Sequence, residues 1–199
     1  MIGFLRGTLH EKLAPHVIID INGVGYDVET PLSSFFNLPA QGEQVFILTH
    51  LVVREDAHIL YGFLTAQERA LFRSLIKVNG VGPKVALGIL SGVSVDDFCL
   101  WVSGDNVAAL VKLPGIGKKT AERLIIDMRD RLPEKTSASS SGSGGGLKLA
   151  ISPAKEAVSA LVSLGYKQAD AERRVRAVAD NEANSEQIIR SALQSAIKK

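Results

Sequence analysis

Cysteine is almost absent: Cys99 is the only one in 199 residues. An intramolecular disulfide is therefore excluded, and so is a zinc site built from several thiolates. The four histidines, His10, His16, His50 and His58, are scattered through the N-terminal part with no spacing that suits metal ligation. No apolar run reaches membrane-span length, and the N-terminus lacks a signal-peptide pattern. The expectation is a soluble, cytoplasmic protein. Catalytic signatures are missing too. A Walker A loop needs Gly-x-x-x-x-Gly-Lys-Ser/Thr, whereas Gly117-Lys118 is followed by Lys119 and position 112 is Lys. No Gly-x-Ser-x-Gly elbow occurs. Nothing in the chain calls for a metal or a cofactor, and the reading is of a non-catalytic protein.

What is present is unevenly distributed. Hydrophobic residues make up 46% of the chain, ample for packed cores, and the net charge is only +2. That total hides an asymmetry. Residues 1–64 carry three Lys/Arg against seven Asp/Glu, while residues 65–132 carry ten against seven. A basic middle behind an acidic front is expected where only part of a chain meets nucleic acid.

The basic middle contains one short sequence twice. The first copy runs Val78-Asn79-Gly80-Val81-Gly82-Pro83-Lys84-Val85-Ala86, the second Leu113-Pro114-Gly115-Ile116-Gly117-Lys118-Lys119-Thr120-Ala121, offset by 35 residues. Each sets Gly-apolar-Gly before a basic residue and an Ala. That layout suits a tight turn feeding a helix N-terminus, where free backbone N–H groups and the helix dipole attract a phosphate. A single copy is equally well explained as a turn between packed helices that touches nothing. Two copies, each with Lys just past the turn, favour DNA held at two points of its backbone and without base readout. The candidate DNA-binding residues are Asn79, Gly80, Gly82, Lys84, Gly115, Gly117, Lys118, Lys119 and Arg123. Asp127 and Asp130, farther along the last helix, read as partners for Arg123, Arg131 and other surface cations.

Around this core the chain divides into four parts. Residues 1–64 read as β, with strands expected at 2–8, 17–21, 24–30, 45–53 and 59–63 and a hairpin turn at Asn22-Gly23. Five short strands favour a small barrel of the oligonucleotide/oligosaccharide-binding type. Residues 65–132 read as all-α: a capping box at Thr65 and Glu68, a helix to about Lys77, a helix opened by Pro83, another begun by Ser94, a short one over 108–112, and a last helix to about Leu132. Residues 133–153 hold a Ser/Gly-rich stretch that reads as a flexible linker. Residues 154–199 read as three short amphipathic helices, with Val158, Leu161, Val162, Val175, Val178, Ile188, Ile189 and Leu193 facing inward and Gly165 ending the first.

Two smaller features stand out. Glu55-Asp56 falls at the tip of a β-hairpin, beside Arg54. By itself it is an acidic turn; alternatively it is an anionic wedge that repels phosphates. Leu164-Gly165-Tyr166 resembles the loop of ubiquitin-associated-type three-helix bundles, either a plain helix stop or an apolar patch for a protein partner.

Taken together, the opening Met1-Ile2-Gly3, the segment Thr49 to Ala57, Leu60-Tyr61-Gly62-Phe63, both helix–hairpin–helix motifs (above all Lys112 to Leu124) and the tail Ala160 to Lys167 resemble the RuvA family, the Holliday-junction-binding subunit of bacterial branch-migration machinery. The resemblance implies a four-fold symmetric homotetramer, single or paired as an octamer, that holds a four-way DNA junction open. Glu55 and Asp56 would be the acidic pin at the crossover. The C-terminal bundle would contact a RuvB-type AAA+ ATPase motor, with Leu161, Leu164 and Tyr166 as contacts, and a RuvC-type resolvase is a further partner it admits. The competing readings are a glycosylase-like repair enzyme, since such enzymes also use helix–hairpin–helix motifs, and a protein adaptor whose hairpins are structural only.

Overall fold

The computed structural model describes residues 1–129, 152–178 and 184–197. They fall into two compact units divided at Ala138. The expected linker lies outside the described residues apart from Ser152 and Pro153.

The first unit opens with a closed barrel. Its strands are β1 (Phe4–Leu13), β2 (His16–Ile21), β3 (Val24–Glu29), β4 (Gln44–Val53) and β5 (His58–Phe63), in the order β1-β2-β3-β5-β4. All pairings are antiparallel except β3 with β5, which meet in parallel at Glu29 and Tyr61. Alternation sets the inner face: Leu5, Leu9, Val17, Ile19, Val28, Val45 and Ile47 are buried, as a half-solvated sheet requires. Asn22 and Gly23 both take positive φ, 53° and 86°, the type I′ geometry that their sequence specifies.

Two features differ from expectation. β1 continues five residues past Thr8, because a register shift between Leu9 and Glu11 lets it bend. Its first half then pairs with β4 and its second with β2. The outward-facing His10 and Glu11 hide this extension from a hydrophobic pattern. A five-residue helix, α1 (Leu32–Phe36), also sits between β3 and β4. It is too short to show a helical period.

The helical part comprises α2 (Ala66–Leu75), α3 (Pro83–Gly92), α4 (Val95–Ser103), α5 (Val107–Leu110) and α6 (Lys118–Arg129). The α2 capping box forms as expected: Thr65 Oγ1 accepts from the Glu68 N–H at 3.1 Å, and the Glu68 carboxylate accepts from the Thr65 N–H at 3.4 Å. The same carboxylate accepts from the hydroxyls of Ser33 at 2.6 Å and Ser34 at 2.9 Å, tying α1 to α2. Phe72 on α2 is fully buried among Tyr61 and Phe63 of β5, both at 4.9 Å between ring centres. Barrel and helices therefore share one apolar cluster. Among the described residues no single helix is long and apolar enough to cross a membrane.

The second unit is a bundle of α7 (Pro153–Ser163), α8 (Gln168–Val178) and α9 (Ser185–Ile197). Ala157, Leu161, Ala171, Val175, Ile188 and Ala192 form its centre, so alanines bring the helices close together. Val162, expected inside, is instead 38% exposed, because Ala157 and Leu161 already fill the inner face of α7.

Candidate nucleic-acid interface

Each repeat folds into the same turn. The Val81 N–H donates to the Val78 carbonyl at 3.0 Å, and the Ile116 N–H donates to the Leu113 carbonyl at 3.3 Å. Gly80 (φ 91°) and Gly115 (φ 77°) occupy the third turn position, where a type II turn needs a positive φ that side chains resist. Val78, Val81 and Ala86 are buried in the first copy, and Leu113, Ile116 and Ala121 at matching places in the second. The apolar positions thus anchor each turn from beneath.

The second glycine of each copy has a different role. Gly82 is the N-cap of α3 with φ −84°, a conformation open to any residue. A Cβ built on Gly82 or on Gly117 meets nothing within 4 Å. Folding therefore does not require glycine at either position. What its absence of side chain provides is a bare helix start. The N–H groups of Lys84 and Val85 in α3, and of Lys119 and Thr120 in α6, find no acceptor among the described residues. Two helix N-termini thus present free donors and positive dipole potential to whatever approaches.

The turns are neighbours. A Cβ on Gly115 would touch Val85 at 3.3 Å, and one on Gly88 of α3 would touch Pro114 at 3.3 Å. Arg123 of α6 reaches across to the Asn79 carbonyl at 3.4 Å rather than pairing along its own helix with Asp127; Asp130 and Arg131 lie outside the described residues. Asn79, Gly80, Gly82, Lys84, Gly115, Gly117, Lys118, Lys119 and Arg123 are all exposed, and Lys84 borders a cavity of about 330 Å³ together with His16 and Glu29. Lys77 and Lys112 were missed in the sequence reading. Both are exposed and stand immediately before the two turns, one repeat length apart, and extending the alignment of the copies by one residue would have found them.

Glu55 and Asp56 lie at the far end of the β4–β5 hairpin. The Arg54 N–H donates to the Ala57 carbonyl at 2.8 Å, closing a tight tip on which Arg54, Glu55 and Asp56 are all exposed. In the bundle, α7 ends in a Schellman motif: Gly165 (φ 97°) donates to the Val162 carbonyl at 2.9 Å and Tyr166 to the Leu161 carbonyl at 3.1 Å. Of the three residues suggested as partner contacts, Leu161 is corrected: it is fully buried in the bundle core, whereas Leu164 is 62% exposed. Tyr166 is partly buried under Arg174, whose guanidinium lies 5.5 Å from the ring centre.

Family models match along the chain: the RuvA N terminal domain over residues 1–62, a SAM-like helix-hairpin-helix tandem over 72–130, and the RuvA C-terminal domain over 152–196. A protein of Methylococcus capsulatus named Holliday junction branch migration complex subunit RuvA is 54% identical over the full length of both chains. Proteins of the same name from Thioalkalivibrio sulfidiphilus and Shewanella frigidimarina are 52% and 53% identical, covering 100% and 98% of this chain. The chain belongs to the RuvA family. As a RuvA-family chain it carries the paired turns inside the helix-hairpin-helix match, the Glu55-Asp56 tip inside the N-terminal match, and Leu164 and Tyr166 inside the C-terminal match.

Proposed function

We propose that this chain binds four-way (Holliday) DNA junctions without sequence specificity, holds them open, and recruits a RuvB-type AAA+ ATPase motor that drives branch migration in recombination and repair. The observation that carries the reading is the pair of bare helix starts at Gly82 and Gly117. Free amides with no side chain above them, with the exposed cations Lys77, Lys84, Lys112, Lys118, Lys119 and Arg123 on the same turns and helices, suit sugar-phosphate backbone and no particular base. The relatives' shared name supports the junction as substrate and a complex as setting.

The division of labour follows from the same reading. The barrel (1–64) carries Glu55 and Asp56 to the crossover, where their charge opposes re-stacking of the strands. The helix–hairpin–helix part (65–132) clamps the arms. The bundle (154–199), beyond residues 133–153, offers Leu164 and Tyr166 to the motor. ATP hydrolysis belongs to that motor, so the chain itself performs no catalysis. Four copies around one junction present eight turns to four arms, and a second tetramer facing the first gives an octamer. A RuvC-type resolvase would share the exposed junction, in the cytoplasm.

The test is a titration of four-way and linear duplex DNA at matched salt. The four-way junction is expected to bind more tightly, with a steep salt dependence to which each phosphate contact adds a slope of about 0.9. Equal affinity for the two DNAs contradicts the proposal, and release of a base from damaged duplex would favour a glycosylase-like enzyme instead.

A further inference from the structure

The hairpin that ends in Glu55-Asp56 is fastened to the helical part at one polar point. His50 on β4 is the cross-strand partner of Tyr61 on β5, three rungs below the tip. Its ring lies edge-on to Phe72 of α2 at 5.7 Å, and its Nδ1 accepts from Arg73 Nε at 3.2 Å. The neighbouring Arg69 donates to the Gly3 carbonyl at 2.8 Å. Beyond this point only Val52 and Ile59 still pack on the helical cluster, and the tip stands free.

We propose that His50 and Arg73 are positioning residues that aim the acidic tip at the crossover, and that the clasp opens in mild acid. The proposal rests on the reading of Glu55-Asp56 as the pin. An Nδ1 that accepts from Arg73 carries no proton, so the neutral ring holds its hydrogen on Nε2. The groups facing the ring are Arg73 and Arg69 from α2 and Tyr61 from β5. Glu29 and Arg54 act on Tyr61 with opposite sign: burial and Glu29 push its phenol up, and Arg54 draws it down. Among the described residues neither Arg69 nor Arg73 forms an ion pair. A proton on His50 would therefore break the hydrogen bond and set a third cation beside two others. Burial first, then Arg73 and Arg69, hold the imidazole below its ordinary value of 6.5. The native state then binds fewer protons than the unfolded chain, so the clasp is intact above that value and is lost as pH falls.

The experiment uses the full chain on a four-way junction carrying a fluorescent base at the crossover, read from about pH 7.5 to about pH 5 beside junction affinity. Wild type is expected to lose its fluorescence gain in acid while it stays bound. His50→Gln, whose amide oxygen can accept from Arg73 but does not titrate, is expected to keep the gain at every pH. His58→Gln, next to the tip, is expected to behave as wild type. An acid loss that persists in His50→Gln, or that disappears only in His58→Gln, overturns the proposal. Glu55→Gln with Asp56→Asn separates the two readings. An unchanged gain near pH 7.5 in that variant sinks the pin, whereas an altered gain with an unaltered His50→Gln pH profile sinks the clasp alone.

Discussion

Four glycines in two turns serve two different ends. Gly80 and Gly115 sit at positive φ and are demanded by the turn itself. Among the described residues nothing demands Gly82 or Gly117. The repeat alone does not reveal that difference. The residues of the motif were legible because spacing and residue type were duplicated. Arg123 bridging to Asn79 was not, because it joins positions 44 apart. Leu161 had two expected roles, an inward-facing position by helical period and a partner contact by the family resemblance; the core position holds, while Leu164, after the last turn, points outward. Lys84 and Lys119 occupy matching places at the two helix starts. Reversing both charges (Lys84→Glu with Lys119→Glu) is expected to weaken junction binding by more than tenfold and to lower the log–log salt slope by about 1.8, for two lost phosphate contacts. A salt titration of binding checks this. Unchanged binding would favour the adaptor reading.

At the scale of elements, the sequence exposed what depends on local chemistry. The Asn22-Gly23 hairpin, the Thr65 capping box, Pro83 at the start of α3, Ser94 as N-cap of α4 and Gly165 at the end of α7 all stand where their side chains or backbone preferences put them. The full length of β1 and the presence of α1 depend on partners distant in sequence, and they did not show. Glu68 illustrates the gap. Its capping role is readable from Thr65 three residues earlier, whereas its bonds to Ser33 and Ser34 cross from another element. Replacing Glu68 by Ala removes half of a capping box and strands two hydroxyls. The Ser34 hydroxyl also accepts from the Leu64 N–H at 3.0 Å. The expected cost is about 1–3 kcal/mol, measured as a lowered urea midpoint with an unchanged slope. A loss below about 0.5 kcal/mol, the usual range for surface changes, would mean that the joint between α1 and α2 is held by packing alone.

Across the whole molecule, the apolar cluster that runs from Tyr61 and Phe63 through Phe72 to Met128 makes barrel and hairpins one unit. The acidic tip and the basic turns are therefore carried on a common frame, as the proposed parting of strands at a gripped junction requires. The bundle is a separate unit with its own core. The charge asymmetry of the sequence distinguished an acidic barrel from a basic helical part; the fusion of the two through Phe72 was invisible, since an aromatic on a helix face names no partner. The most direct measurement is the four-way-junction affinity of the full chain carrying Gly82→Ala and Gly117→Ala, set beside its melting temperature. Alanine is a slightly poorer N-cap than glycine but restricts the unfolded chain, and these effects offset to within about 1 kcal/mol. The account predicts a preserved melting temperature and a junction affinity reduced by more than tenfold, because each methyl group covers a bare helix start. Wild-type affinity in a normally folded double variant would contradict it.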